Sequence, residues 1–294
     1  MTVDAGSARA HLLQVAESDH AQRVGTAAWL DRELAFGAKV FYKGWLGDDG
    51  RLEKHWLAGP QASVRTRRAL ETGQLEFMDF PRLVDLVGGT AEGLHRIQAA
   101  ELHGALEEGW TSVAMTQESS RRPLVDDDEV AVFAQQEGGY DELAARFPLH
   151  VLCQLTVPVE NAVHVVESLG VHHRGVVDVG WVAHDEGDSW RLAGDLDAHI
   201  AQRFGGALTG ALRRATAIAE EGTGASPDLH VDLTGVGFVD VAVAQVMVLA
   251  ARSVPGGQHL VLHDPPRLLR RLLDALERPD AIVLGGPVTE RGSA

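Results

Sequence analysis

The sequence predicts an α/β protein in which a mostly parallel sheet, covered on both faces, is followed by a smaller α/β module. Three observations predict it. Apolar strand-like runs alternate with helical patterns of ten or more residues, the signature of a parallel sheet between helical layers. The rhythm changes near Gly170, where extended segments follow one another. And 294 residues exceed what one core usually serves, so two domains are expected.

The first ten residues are small and polar and read as a loose tail. From Ser18 to Phe36, Val24, Ala28, Trp29 and Leu34 recur at roughly helical spacing. AKVFYKGW at 38–45 reads as a strand, stopped by GDDG at 47–50. Pro60 is expected to open a second helix that ends at Gly73. QLEFMDF at 74–80 alternates like a strand at a sheet edge, and a long helix covers about 91–108. A strand over 111–118 follows. The acidic run 126–129 precedes an apolar stretch, where carboxylates favour a helix start; capping explains it better than metal binding. PLHVLCQLTV at 148–157 is an apolar strand, and Pro158 is expected to open another helix.

Past Gly170, VVDVGWVAH at 176–184 reads as one extended segment, and WRLAG at 190–194 begins a new unit. Ile200, Phe204, Leu208, Leu212 and Ala219 form one helical stripe. A strand over 229–233, a short loop, a helix over 241–251 and a strand over 259–263 come next. The helix at 267–276 is expected to turn Leu268, Leu269, Leu272, Leu273 and Leu276 inward, and a strand at 281–284 closes the module. The domain boundary is expected between Gly180 and Ser189, giving domains over 11–182 and 189–286.

Composition removes several functional classes. A formal charge of −16 opposes sequence-independent nucleic-acid binding, which needs cations against phosphates. No run of eighteen apolar residues exists, so no helix is expected to span a membrane. A single cysteine, Cys153, cannot form an internal disulfide, and no secretory leader is visible at the start. Together these point to the cytoplasm.

Catalytic signatures are missing as well. A phosphate loop needs Gly-Lys-Ser/Thr at its end, whereas LGDDGRLEK offers two glycines and a repelling acidic pair; Lys43 lies too early. Gly88 and Gly89 read as a turn. His172 and His173 are adjacent, so in a strand they would point to opposite faces, and they read as structural or surface residues. Cys153, within an apolar strand, reads as an inert small hydrophobe. The six tryptophans read as packing more readily than as a ligand pocket. No nucleophile elbow is present. The expectation is a protein that is not an enzyme and needs no cofactor or metal.

Three pieces of the last hundred residues resemble the STAS domain, the fold of bacterial anti-sigma factor antagonists. WRLAGDLD at 190–197 is similar to its opening strand. LHVDLTGVGFVDVAVAQVMVLAA at 229–251 is similar to its strand, loop and helix, and HLVLHDPPRLLRRLLDALE at 259–277 to the next strand and helix. In that family a serine just after the aspartate accepts a phosphate from a kinase. Here Asp240 matches, but Val241, Ala242 and Val243 follow, and an alkyl side chain cannot accept a phosphoryl group. The resemblance implies a partner-binding tip at Asp240, Val241, Ala242 and Val243, with Asp240 serving either as a plain N-cap or as a partner contact. The implied partner is an anti-sigma factor or a GHKL-type kinase protein.

About 11–180 resembles the MEDS domain, a sensory module similar in fold to RecA-like and KaiC-like ATPases but without their nucleotide motif. His11, LDRELAFGAKVFYKG at 30–44, ALEEGWTSVAMTQE at 105–118, DELAARFPLHVLCQL at 141–155 and HHRGVVDVG at 172–180 carry the likeness. It implies a three-layer RecA-like domain sensing a small hydrophobic or polar ligand, with His11 and Glu118 as candidate ligand contacts. The combined reading is a cytoplasmic regulator in which this domain gates the STAS-like one. The alternative is a small-molecule sensor whose STAS-like half only makes a homodimer.

Overall fold

A computed structural model of the chain describes residues 11–16, 18–46, 50–118, 127–156, 173–178, 180–186, 189–220, 227–254 and 257–286. The helix expected after Pro158, the tail before His11, His172 and the segment after Pro287 lie outside them. Two compact units are present, one spanning Arg9–Pro158 and the other drawn from Val159–Ala294.

The first unit is a five-stranded parallel sheet between helices. Its strands are β1 (His11–Ala16), β2 (Lys39–Gly44), β3 (Leu75–Asp79), β4 (Val113–Glu118) and β5 (Leu149–Thr156). They lie in the order β1-β5-β4-β2-β3, every neighbouring pair parallel. The helices are α1 (Asp19–Ala35), α2 (Val64–Thr72), α3 (Phe80–Leu86), α4 (Ala91–Glu107) and α5 (Asp127–Arg146). The chain runs outward from β1 to β2 and β3, then returns through β4 and β5. Right-handed crossovers therefore set α1 and α2 on one face and α4 and α5 on the other. All side chains of β1 and β2 are buried, as a sheet covered on both faces demands.

Local chemistry fixes the helix ends. Ser18, Ser63 and Thr90 each accept a backbone N–H at the start of α1, α2 and α4. Helix α2 thus begins at its serine cap and not at Pro60, and it stops where Gly73 turns left-handed at φ 74°. Two elements differ from the sequence reading. HLLQVA forms strand β1, six residues buried throughout with no apolar–polar alternation to betray them. FPRLVDL forms the short helix α3.

The second unit holds β6 (Gly175–Asp178), β7 (Trp181–Glu186), β8 (Ser189–Leu196), β9 (Leu229–Val239), β10 (Leu260–His263) and β11 (Ile282–Gly285). Its helices are α6 (Ala201–Glu220), α7 (Val241–Ser253) and α8 (Arg267–Ala275). The order is β6-β7-β8-β9-β10-β11. The first two pairings are antiparallel and the rest parallel. Each parallel crossover steps the same way, so α6, α7 and α8 share one face and pack side by side.

The extended segment expected at 176–184 is a hairpin turning at Gly180, whose φ is 90°. Because β6 pairs with β7, it belongs to the second unit. The stripe Ile200, Phe204, Leu208 and Leu212 is buried as expected. In α8, Leu269 and Leu273 are the buried pair; Leu268, expected inward, is 45% exposed.

Candidate functional site

Doubly wound sheets bind ligands beyond the carboxyl ends of strands whose following helices lie on opposite faces. Here β2 and β4 are such neighbours, and Glu118 ends β4. Its Oε1 accepts from the Tyr42 hydroxyl at 2.5 Å, and its Oε2 accepts from the Trp45 backbone N–H at 3.1 Å. The Trp45 indole N–H donates to the Glu118 carbonyl, and His55 Nε2 stands 3.7 Å from Oε1. Burial alone would raise the pKa of this carboxyl, but the neighbouring His55 imidazole and the Tyr42 hydrogen bond bring it below the ordinary value. Tyr42 is itself held up by burial and by the neighbouring carboxylate. Both oxygens of Glu118 are thus engaged in tying down the end of β2, beside a cluster of Tyr42, His55, Trp56 and Phe77 rings.

His11 lies elsewhere. Side chains alternate along a strand, and register carries a face across the sheet. His11 aligns with Val151 and Met115, while Glu118 aligns with Gln154 and Gln14. The two candidates therefore project from opposite faces and do not share a site.

On the α4–α5 face, His11 meets three groups that sequence reasoning left apart. Its Nδ1 donates to Asp141 Oδ1 at 2.9 Å and its Nε2 to Glu137 Oε2 at 2.8 Å. The Cys153 thiol donates to Glu137 Oε2 at 2.6 Å and lies 3.3 Å from His11 Nε2. His11, Glu137 and Cys153 are buried, and one donor atom from each falls within 4.8 Å of the others. Burial disfavours the imidazolium, but the two carboxylates outweigh it and push His11 up to about 9. The Cys153 thiol is pushed up by burial and by Glu137, which favours the protonated, unreactive form of this sulfur.

Around the cluster, Lys43 is fully buried and reaches Glu101 at 3.2 Å. Tyr140 donates to Gln117 and accepts from Gln98. A small cleft beside them is lined by Ala91, Leu94, His95, Gln98, Gln117 and Tyr140. Glu137 and Asp141 sit one helical turn apart on α5, the only local trace of this constellation in the sequence. Its partners come from β1 and β5, far along the chain.

In the second unit, Asp240 caps α7, its Oδ1 accepting from Ala242 N–H at 2.9 Å. Val241 is 45% exposed and Ala242 half-buried, but Val243 is fully buried and packs in the core. Val243 therefore offers a partner nothing, which corrects the expectation for that residue: at a helix start only one side of the first turn faces out. The exposed face continues through Leu249, with Phe238 just before the cap. Thr234 is exposed on β9, and the Ser253 hydroxyl donates to Leu249 O at the far end of α7; neither stands at the tip.

Residues 181–278, a third of the chain, match the family model described as Mlab, STAS domain, so this stretch is similar to STAS domains. No curated protein matches the chain. The STAS assignment suggests a signalling role like that of anti-sigma factor antagonists. Among the described residues no helix is long and apolar enough to cross a membrane.

Proposed function

We propose that the chain is a non-enzymatic cytoplasmic signalling regulator whose STAS domain binds an anti-sigma factor or a related GHKL-type kinase-fold protein. The observation that carries this reading is the tip of α7 within the matched STAS stretch. Phe238 and Val241 are exposed beside the capped helix start, and Leu249 is exposed two turns further along the helix. The three residues after Asp240 have no hydroxyl, so the surface does not switch by phosphorylation there. Gating then falls to the N-terminal unit, read as a MEDS-like sensory domain, which would shift the population of binding-competent chains.

Capture of partners on the full chain in its native organism, with identification by mass spectrometry, tests this. The expected result is an anti-sigma or kinase-fold protein whose affinity falls at least about tenfold in Val241→Asp, with the circular dichroism unchanged. Recovery of no such partner counts against it. A homodimer that the same substitution dissociates would instead favour a sensor in which the STAS domain only dimerises.

A further inference from the structure

We infer that His11, Glu137 and Cys153 form a binding site for a divalent transition cation of the zinc class, with Asp141 orienting the histidine. A soft thiolate, an imidazole and a carboxylate together match the donor preferences of zinc and its neighbours rather than those of magnesium or calcium. The donors converge from three separate elements, β1, α5 and β5, and all three side chains are buried. The His11 Nδ1–Asp141 contact at 2.9 Å is the carboxylate–histidine arrangement that accompanies metal-bound imidazoles; it fixes the ring and leaves Nε2 facing Glu137 and Cys153.

Distances also fit a site closed over protons. Zinc bonds of about 2.0–2.3 Å set donor–donor separations of roughly 3.3–3.7 Å in a tetrahedral set. Here the separations are 2.8 Å for Nε2 to Oε2, 2.6 Å for Sγ to Oε2 and 3.3 Å for Nε2 to Sγ. Entry of the cation requires the carboxylate to draw back by about 0.5–1 Å, within the reach of a single χ adjustment. The thiol and Nε2 protons pass to solvent as the cation takes their place. The charge then balances: Glu137 and the Cys153 thiolate neutralise the dication.

The test uses the full chain, stripped with a chelator and titrated with Co²⁺ and then Zn²⁺. One equivalent of Co²⁺ is expected to give thiolate-to-cobalt absorption, which Zn²⁺ then displaces. Cys153→Ser should abolish that band. Asp141→Asn, at a half-exposed side chain outside the donor set, should weaken zinc affinity by about 10–100-fold. Absence of the band from the folded wild-type chain, or its persistence in Cys153→Ser, overturns the inference. So does an unchanged affinity in Asp141→Asn, the variant that keeps all three donors should Cys153→Ser fail to fold.

Discussion

His11 and Glu118 project from opposite faces of one parallel sheet, each locked into its own buried hydrogen-bond network. The separation has consequences for what each residue does when it is changed or titrated.

Glu118 holds the end of β2 through Tyr42 and Trp45. Glu118→Gln should lower stability by about 2 kcal/mol, since a charge-assisted acceptor is lost in a mostly buried place. Its folded pKa is below the ordinary value, so its contribution is present above that value and fades as pH falls through the folded one. Urea unfolding from neutral pH down to about pH 3 should show a shallower acid limb in Glu118→Gln than in the wild type.

The α7 tip offers a paired comparison. Val241→Ala should change stability by less than about 0.5 kcal/mol, because the side chain is exposed. Val243→Ala, two residues on, should cost about 2 kcal/mol by opening a cavity in the core. If the partner contact is as proposed, partner affinity should follow the first substitution and thermal stability the second. Affinity measurements and melting curves on both variants check this.

Gly194 sits at φ 109°, and a Cβ there would stand 2.1 Å from the Gly180 carbonyl oxygen. Gly194→Ala should cost more than about 3 kcal/mol, since it combines a forbidden backbone conformation with a clash against backbone of the β6–β7 turn. Loss of soluble expression, or a melting temperature lowered by more than about 6 °C, is the expected readout.

Arg203 Nε donates to Asp178 Oδ2 at 2.6 Å, and both side chains are buried. Asp178 also accepts from the Trp181 indole. Asp178→Ala should destabilise by about 3 kcal/mol, as it leaves a buried guanidinium without this carboxylate. Asp178→Asn, which keeps acceptor geometry, should cost less. Equilibrium unfolding of the two variants separates charge from hydrogen bonding.

Much of the fold was readable from sequence where one period dominates. The strand at 38–45, the helix at 91–108 and the stripe from Ile200 to Leu212 declared themselves by spacing alone. β1 did not, because six consecutive buried residues show no alternation, and the β6–β7 hairpin hid because Gly180 is a single turn signal inside an apolar run. The His11 cluster was illegible for a different reason. Its members are more than a hundred positions apart except for Glu137, Asp141 and Cys153, and Cys153 alone resembles any small core residue. Only the α5 pair Glu137 and Asp141, one turn apart, left a local mark. His11 was singled out by family likeness, not by chemistry.

The placement of β1 also sets an order of events during synthesis. Its parallel partner within the first unit is β5, so His11–Ala16 leaves the ribosome well before the strand that covers it exists. At about 5–20 residues per second, the roughly 140 intervening residues take about 7–28 s to emerge. Throughout that interval a strand destined for full burial waits without its neighbour. The nascent chain should therefore be at its most chaperone-dependent before Thr156 appears, and should commit to its native topology abruptly once it does.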